Sequence, residues 1–409
     1  MASSASGAGS GRVHRLLLPP VVAVVVVVVV VVLAAADPAA AAACYPRIFS
    51  FGDSLADTGN LVHLPNGTGM PGDAPPRLPY GETFFHRAAG RFSNGRIILD
   101  FIADALGLPF VRPYLSGRRA ADFARGANFA VGGATALAPD FFRERGFDMG
   151  HVVHLDMEME WFRDMLHLLC PGDLAGCSDI MKQSLFVVGE IGGNDYNLPL
   201  LLRGPFENVL TFTPSVVAKI SSAITELIEL GAKTLLVPGN LPIGCVPTYL
   251  LIFKSDNKED YEPETGCIKW LNEFGQYHNK LLMEELEKLR RLHPGVTIIY
   301  ADYYGAAMEV FRSPEQYGIE YPLVACCGKE GPYGVSTYVG CARGNFTLCD
   351  NPDKYGSWDA FHPSEAVYKA MAFGLLRGSY TQPPIATTSS CPQLSGLGSS
   401  VESMVLADL

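Results

Sequence analysis

Four short apolar runs recur along the chain, at Ile48–Phe51, Leu185–Val188, Thr234–Val237 and Val296–Tyr300. Nearly continuous apolar runs of this length are typical of strands that are buried on both faces. The stretches between them are much longer and carry helical patterns. Strands that alternate with helices predict a parallel sheet covered by helices on both sides. The sequence therefore predicts an α/β fold of three layers, α/β/α, with a mostly parallel central sheet.

Two of the intervening stretches have clear helix signals. Pro214–Leu230 follows Thr213, a candidate N-cap, and stops before a glycine. Trp270–Leu292 carries leucines at helical spacing and stops before Pro294. Open parallel sheets bind their ligands at the carboxyl ends of the strands. The residues directly after each apolar run are therefore the first candidates for a site.

The first 43 residues have the pattern of a targeting segment. Arg12 and Arg15 precede a valine-rich run, and small residues lead up to Cys44, which is the pattern of a signal peptide. The apolar stretch is long, so retention as a membrane anchor is the alternative, and a membrane partner is expected only through it. We divide the chain into a signal peptide or signal anchor (1–43), a catalytic domain (44–380) and a flexible tail (381–409).

The formal net charge of −11 argues against nucleic-acid binding, which needs a clustered basic face. The two sequons at Asn66 and Asn345 are candidate N-glycosylation sites. Sugar acceptors of this kind fit a protein of the secretory pathway, which agrees with the N-terminal segment.

The ten cysteines are expected to pair in an oxidising compartment. Cys170 with Cys177 and Cys245 with Cys267 are plausible local pairs, although the sequence does not fix the connectivity. A zinc site is the alternative for the remaining cluster, but that cluster lacks the usual C-x-x-C spacing. Its members are Cys326, Cys327, Cys341 and Cys349.

Three polar segments carry candidate chemistry. Ser54 follows the first apolar run, and Asn194 follows the second in a Gly-Gly-Asn sequence where its amide can donate to an oxyanion. Asp359 precedes His362 by three residues, so its carboxylate can hold Nδ1–H and leave Nε2 for a serine. Turns and a helix cap are the alternative explanations of these residue types.

Taken together, these segments resemble, in order, the sequence blocks of the GDSL-type esterase/lipase family, the SGNH hydrolases, in its large plant branch. The matching blocks are FSFGDSL at 49–55, NFAVGGAT at 128–135, GGND at 192–195 and DAFHP at 359–363. The resemblance spans about residues 44–380. It implies an SGNH hydrolase-like, flavodoxin-like fold and a serine ester hydrolase.

Carried over position by position, the resemblance implies Ser54 as the nucleophile, His362 as the general base and Asp359 as the residue that orients it. It also implies an oxyanion hole made by the backbone N–H groups of Ser54 and Gly133 and the side chain of Asn194. Such an enzyme needs an ester substrate and neither metal nor organic cofactor.

A metal site at His151 and His154 with the acidic residues that follow is the weaker interpretation, because such residues are usually a solvated helix face. It would also have no role in the serine chemistry that the resemblance implies.

The segment GEIGGNDYN at 189–197 resembles the corresponding segment of family members that cleave small or polar esters. We therefore expect a short-acyl esterase that removes acetyl groups from a plant glycan such as xylan, or from a small secondary metabolite, in the Golgi lumen or the cell wall. The alternatives are a long-chain lipase, an acyltransferase that uses the same acyl-enzyme, and a non-catalytic glycan-binding protein. The motifs have no amphipathic lid helix beside them, which disfavours the lipase.

Overall fold

The computed structural model describes residues 44–64, 77–172, 174–329, 331–336 and 340–385. The predicted signal segment, the sequon at Asn66 and residues 386–409 of the predicted tail lie outside this part of the chain.

A six-stranded sheet forms the centre of the domain. Its strands, in chain order, are β1 Ile48–Phe51, β2 Gly126–Asn128, β3 Leu185–Val188, β4 Thr234–Pro238, β5 Thr297–Ala301 and a final strand at Thr381–Gln382. The first five strands are parallel and lie in the order β2-β1-β3-β4-β5, with the final strand antiparallel against β5. This is the flavodoxin-like order, whose switch point lies between β1 and β3. The predicted fold class is confirmed.

Helices cover both faces of the sheet. They are α1 Asn60–His63, α2 Ile98–Ala105, α3 Pro139–Arg143, α4 Leu155–Leu169, α5 Ser178–Gln183, α6 Gly193–Leu201, α7 Phe206–Leu210, α8 Thr213–Glu229, α9 Pro247–Ile252, α10 Lys269–Leu292, α11 Tyr303–Arg312 and α12 Glu365–Arg377. Four short strands lie outside the central sheet as two pairs: β6 Tyr321–Ala325 with β9 Tyr355–Ser357, and β7 Cys327–Gly328 with β8 Thr347–Leu348. The final strand of the sheet is β10.

The two faces of the sheet form two separate hydrophobic cores. Successive side chains of a strand point to opposite faces, so Phe49 of β1 packs with α4, α8 and α10, whereas Ile48 packs with α2, α11 and α12. The strands are buried on both sides, which explains why their sequences are apolar without alternation. Within the part of the chain that is described, no helix is both long and apolar enough to cross a membrane.

The predicted strands agree with the structure to within one residue, and both predicted helices are present. Thr213 is not the N-cap that we expected. It is the first residue of α8, its hydroxyl donates to the carbonyl of Leu210, and Phe212 occupies the cap position. Polar caps and first-turn positions differ by only one residue, so the sequence pattern cannot separate them.

The boundary of the folded domain at residue 380 is wrong. Thr381 and Gln382 pair with β5, and Ile385 is buried in the core that contains α12. The sheet edge therefore extends the fold through at least residue 385. The composition after residue 380 is rich in serine and threonine, which predicts a tail. A two-residue edge strand leaves almost no apolar pattern, so the sequence gives no sign of it.

Four disulfide bonds join cysteines of the described residues: Cys170–Cys177, Cys245–Cys267, Cys326–Cys349 and Cys327–Cys341. The first two are the expected local pairs, and the other two occupy the cysteines of the zinc alternative. Disulfides of this number are typical of an oxidising compartment, which agrees with the secretory pathway. Cys44 is also disulfide-bonded.

Candidate active site

The predicted site residues come together at the carboxyl edge of the sheet. Ser54 follows β1 and Asn194 opens α6 after β3, so the two flank the switch point of the strand order. Gly133 comes from the loop after β2, and His362 comes from the turn that precedes α12. All four residues line one cavity.

Ser54, His362 and Asp359 form a hydrogen-bonded chain. His362 Nε2 lies 2.8 Å from Ser54 Oγ. On the other side of the ring, Nδ1 lies 2.7 Å from Asp359 Oδ2 and 2.9 Å from Oδ1. With its proton on Nδ1, the imidazole has an acceptor lone pair directed at the serine hydroxyl, which is the arrangement that a general base needs.

The turn that carries His362 is held by its own side chains. Asp359 Oδ1 accepts the backbone N–H of His362 at 2.8 Å, and Ser357 Oγ donates to the His362 carbonyl at 3.1 Å. Ser364 then caps α12, because its Oγ accepts from the N–H of Val367. The Asp-x-x-His spacing therefore serves both the backbone turn and the imidazole contact, since the same carboxylate makes both.

Tyr80 is a member of this network that the sequence did not indicate. Its hydroxyl donates to Asp359 Oδ2 at 2.7 Å across 279 residues of sequence. Burial alone would raise the pKa of Asp359, but the charge of His362 and the hydrogen bonds from His362 and Tyr80 lower it below its usual value. Asp359 is thus kept ionised beside the imidazole. A buried tyrosine hydroxyl needs a partner, but no sequence pattern says which.

The turn after β1 depends on Gly52, which has φ 139°. A Cβ at this position would lie 2.8 Å from the carbonyl oxygen of Glu190, so only glycine fits. Asp53 Oδ1 then accepts the N–H of Leu55 at 2.9 Å, and Glu158 of α4 accepts the N–H of Gly52 at 2.9 Å. These contacts fix the backbone on both sides of Ser54.

The two glycines of the second block have different surroundings. The N–H of Gly132 donates to Asp57 Oδ2 at 2.9 Å, so that donor is already occupied. Gly133, with φ 83°, lines the cavity beside Ser54. Of the two neighbours, Gly133 is therefore the one placed to offer a backbone donor.

The side chain of Asn194 is held in position by two acceptors. Its Nδ2 donates to Asp53 Oδ2 at 2.9 Å and to the Ala134 carbonyl at 3.0 Å. Both amide hydrogens have partners in this state, so a bound oxyanion has to share one of them. Donor geometry of this kind commonly tightens only when substrate is bound.

Buried carboxyl groups support the site from behind. Burial raises the pKa of Asp53 to about 6 and of Asp57 to about 6, and of Asp195 to about 7. Burial also raises the pKa of Glu190, which hydrogen-bonds to Asp53, and of Glu158 well above the usual range. Charged groups crowded in a dry interior repel one another, so protonation of some members is the expected response.

The cavity has a volume of about 260 Å³. Ser54, Asn194 and His362 line it together with a group of aliphatic and aromatic residues. That group includes Leu241, Ile243, Val246, Tyr249 and Phe311.

Two acidic residues of the alternative metal site have other partners. Asp156 forms an ion pair with Lys219 at 2.9 Å, and Glu158 points into the core towards Gly52. No cluster of three or more metal-ligating side chains occurs among the described residues. The second sequon, at Asn345, lies exposed between β7 and β8.

Comparison with known proteins agrees with this geometry. The sequence model of the GDSL-like lipase/acylhydrolase family matches residues 48–374. The chain is 48% identical over 341 residues to GDSL esterase/lipase At1g28600 of Arabidopsis thaliana. The matched region covers 83% of this chain and 86% of the relative. The chain is also 44% identical over 341 residues to the sinapine esterase of Brassica napus, and the matched region covers 83% of this chain and 87% of that relative. The chain therefore belongs to the GDSL-like lipase/acylhydrolase family and is a carboxylic ester hydrolase.

Proposed function

We propose that Ser54 is the nucleophile of a short-acyl esterase, with His362 as its general base and Asp359 as the residue that orients the base. The observation that carries this proposal is the 2.8 Å contact between Ser54 Oγ and His362 Nε2, with the Asp359 carboxylate on Nδ1. A serine hydroxyl is a weak nucleophile until an adjacent base can take its proton.

The reaction proceeds in two steps. Ser54 Oγ bonds to the ester carbonyl carbon while its proton moves to His362 Nε2. As the tetrahedral intermediate collapses, the bond to the alcohol oxygen breaks and that oxygen takes the proton. Water then attacks the acyl-enzyme by the same route, with His362 again as the base, and releases the acid and free Ser54.

The oxyanion is stabilised by the backbone N–H groups of Ser54 and Gly133 and by the Asn194 amide. Asp53 holds that amide from behind, so the donor is oriented before the substrate arrives. Preorganised donors of this type stabilise the charge that develops in the transition state.

The preferred acyl group is acetyl, and the candidate substrates are acetylated glycans such as xylan or small secondary metabolites. A cavity of about 260 Å³ lies below the usual range of about 300–1,000 Å³ for drug-sized ligands, which favours a small acyl group. The similarity to a sinapine esterase supports ester cleavage. The cysteine pairing supports action in the Golgi lumen or the cell wall.

A longer acyl group is the second candidate, because a large part of the cavity wall is apolar. Acetyl, butyryl, hexanoyl and octanoyl esters of 4-nitrophenol separate the two. For the acetyl esterase, kcat/KM falls along this series, since a small pocket rejects each added methylene by a modest factor. A profile that rises towards octanoyl, with activation at an oil–water interface, contradicts the proposal and favours a lipase.

Two further measurements separate the remaining classes. Covalent labelling of Ser54 by an organophosphonate distinguishes an enzyme from a glycan-binding protein on the same scaffold. Product analysis with an added sugar alcohol distinguishes hydrolysis from acyl transfer, because a transferase delivers the acetyl group to the alcohol rather than to water. Acetate release from acetylated xylan tests the glycan substrate directly.

A further inference from the structure

A second cavity adjoins the first on the far side of His362. It has a volume of about 580 Å³ and shares Phe92, Leu201, Phe361 and His362 with the cavity that contains Ser54. It contains neither Ser54 nor the oxyanion donors. We refer to it as the arginine cleft because several arginines line it.

Three arginines line this cleft, Arg77, Arg203 and Arg343. The ion pairs of the described residues include none of them. Asp359 is the only carboxylate among the described residues of the lining, and its oxygens already accept from His362 and Tyr80. A concentration of positive charge next to the base is unexpected in a chain of net charge −11.

Two of the arginines are attached to well-held backbone. Arg343 follows Cys341 by two residues, and the Cys327–Cys341 disulfide ties that position to β7. Arg203 lies two residues after the end of α6, and its N–H donates to the carbonyl of Leu200. A backbone that is already fixed reduces the entropy that the loop loses when a ligand binds.

The position of the cleft assigns it to one half of the substrate. The ester carbonyl has to lie between Ser54 and the oxyanion donors, which line only the first cavity. The alcohol oxygen leaves towards His362 Nε2, because that nitrogen returns the proton. A substrate that continues past His362 therefore places its alcohol portion in the arginine cleft.

We propose that the arginine cleft binds a carboxylate carried by the alcohol portion of the ester. The guanidinium group is suited to this role because its donors match a carboxylate in two-point geometry. An acidic sugar residue and a hydroxylated aromatic acid share this chemistry. The inference rests on the proposed esterase function and adds a preference for the charge of the leaving group.

Electrostatics near the triad agrees with this placement. Burial and the neighbouring Asp359 raise the pKa of the Tyr80 hydroxyl well above its usual value, whereas the positive charge of Arg343 acts in the opposite direction. Arg343 is therefore close enough to act on the network that orients His362. A carboxylate bound beside Arg343 would also lie close to the network of Tyr80, Asp359 and His362.

The test uses three acetate esters of matched shape: 4-acetoxybenzoate, its neutral methyl ester, and the cationic 4-acetoxyphenyl-trimethylammonium. The wild-type enzyme is expected to prefer the anion over the neutral ester and the neutral ester over the cation. In the double variant Arg203→Gln/Arg343→Gln, the ratio of kcat/KM for anion to neutral ester falls by about 3- to 10-fold, as expected for partly exposed charge pairs. Higher ionic strength lowers the wild-type ratio.

Arg291→Gln is the matched control. Arg291 lies exposed in the last turn of α10, just before β5 begins, and so at the opposite edge of the sheet. This substitution removes the same charge as each of the two cleft substitutions and leaves the ratio at its wild-type value. An acetylated uronic-acid oligosaccharide compared with an acetylated neutral oligosaccharide distinguishes an acidic sugar from an aromatic acid as the preferred source of the carboxylate.

Two failures are distinguishable. Wild-type activity on the neutral ester with no preference for the anion, or a ratio that the double variant does not change, overturns the arginine cleft and leaves the esterase intact. Absence of hydrolysis of all three esters by folded protein overturns the esterase itself.

Discussion

Ser54 Oγ lies 2.8 Å from His362 Nε2 and is the proposed nucleophile, so replacing it separates catalysis from folding. In Ser54→Ala, esterase activity is expected to fall by about four orders of magnitude or more, because no acyl-enzyme can form. His362→Ala is expected to fall by a similar amount. Initial rates on 4-nitrophenyl acetate provide the measurement.

Ser222→Ala is the control for this pair, since Ser222 is exposed on α8 and far from the cavity. Circular dichroism of the Ser54 variant establishes that it folds. If folded Ser54→Ala protein turns over at the wild-type rate, the nucleophile lies elsewhere.

A different result is expected for Asn194, because the proposed mechanism uses its amide to stabilise the transition state. In Asn194→Ala, kcat is expected to fall by about 10² to 10³ with little change in KM. Steady-state kinetics with an acetyl ester separates the two constants. If KM rises and kcat is unchanged, Asn194 contributes to ground-state binding or to the turn alone.

At the scale of the elements, β2 shows what an apolar pattern misses. Gly126–Asn128 has no apolar run, yet it pairs in parallel with β1. Gly126 has φ 101°, and a Cβ there would lie 1.8 Å from the Ile48 carbonyl oxygen. The strand exists because the backbone can approach β1 this closely, which is a tertiary requirement that no local sequence pattern expresses.

Gly126→Ala is therefore expected to destabilise the protein by about 3 kcal/mol or more, through the clash with Ile48 and the positive φ. Gly107→Ala is the control, since Gly107 has φ 67° and no heavy atom within 4 Å of its Cβ position. It suffers only the strain of the left-handed conformation. Urea unfolding of both variants measures the difference, and equal losses would remove the role of close approach.

The contrast between local sequence pattern and tertiary packing also separates the site residues that the sequence predicted from those that it did not. Ser54, Asn194 and His362 stand directly after strands or before a helix, so local pattern and family resemblance located them. Tyr80 and Arg343 reach Asp359 and its surroundings only through tertiary packing. Their residue types are ordinary in loops, and no spacing connects them to the triad.

For the molecule as a whole, the buried carboxyl groups predict an unusual pH dependence of stability. Asp57 accepts from the N–H groups of Gly59, Asn60, Leu61 and Gly132, and burial raises its pKa to about 6. Between about pH 4 and pH 6 the native state keeps this proton while the unfolded state has lost it. Stability from this group therefore falls as pH rises, by about 1.4 kcal/mol per pH unit.

Asp57→Asn tests this directly. Asparagine cannot ionise, so the stability of the variant does not fall for this reason as pH rises. The wild type is more stable than the variant at about pH 4, and this difference shrinks by about 3 kcal/mol between about pH 4 and pH 6. Urea unfolding of both proteins across this range is the measurement. Asp359, whose pKa is lowered, acts in the opposite sense, and its contribution is lost only at more acidic pH. A deficit that grows with pH contradicts the assignment.

Ser54 and His362 are 308 positions apart in the sequence, and this separation delays the point during synthesis at which the proposed triad is complete. The nucleophile of the proposed mechanism leaves the ribosome well before its base. At about 5–20 residues per second, a nascent chain carries an unactivated serine for roughly 15–60 s before the imidazole emerges. Under the proposed mechanism, translation products that end before His362 are expected to be inactive.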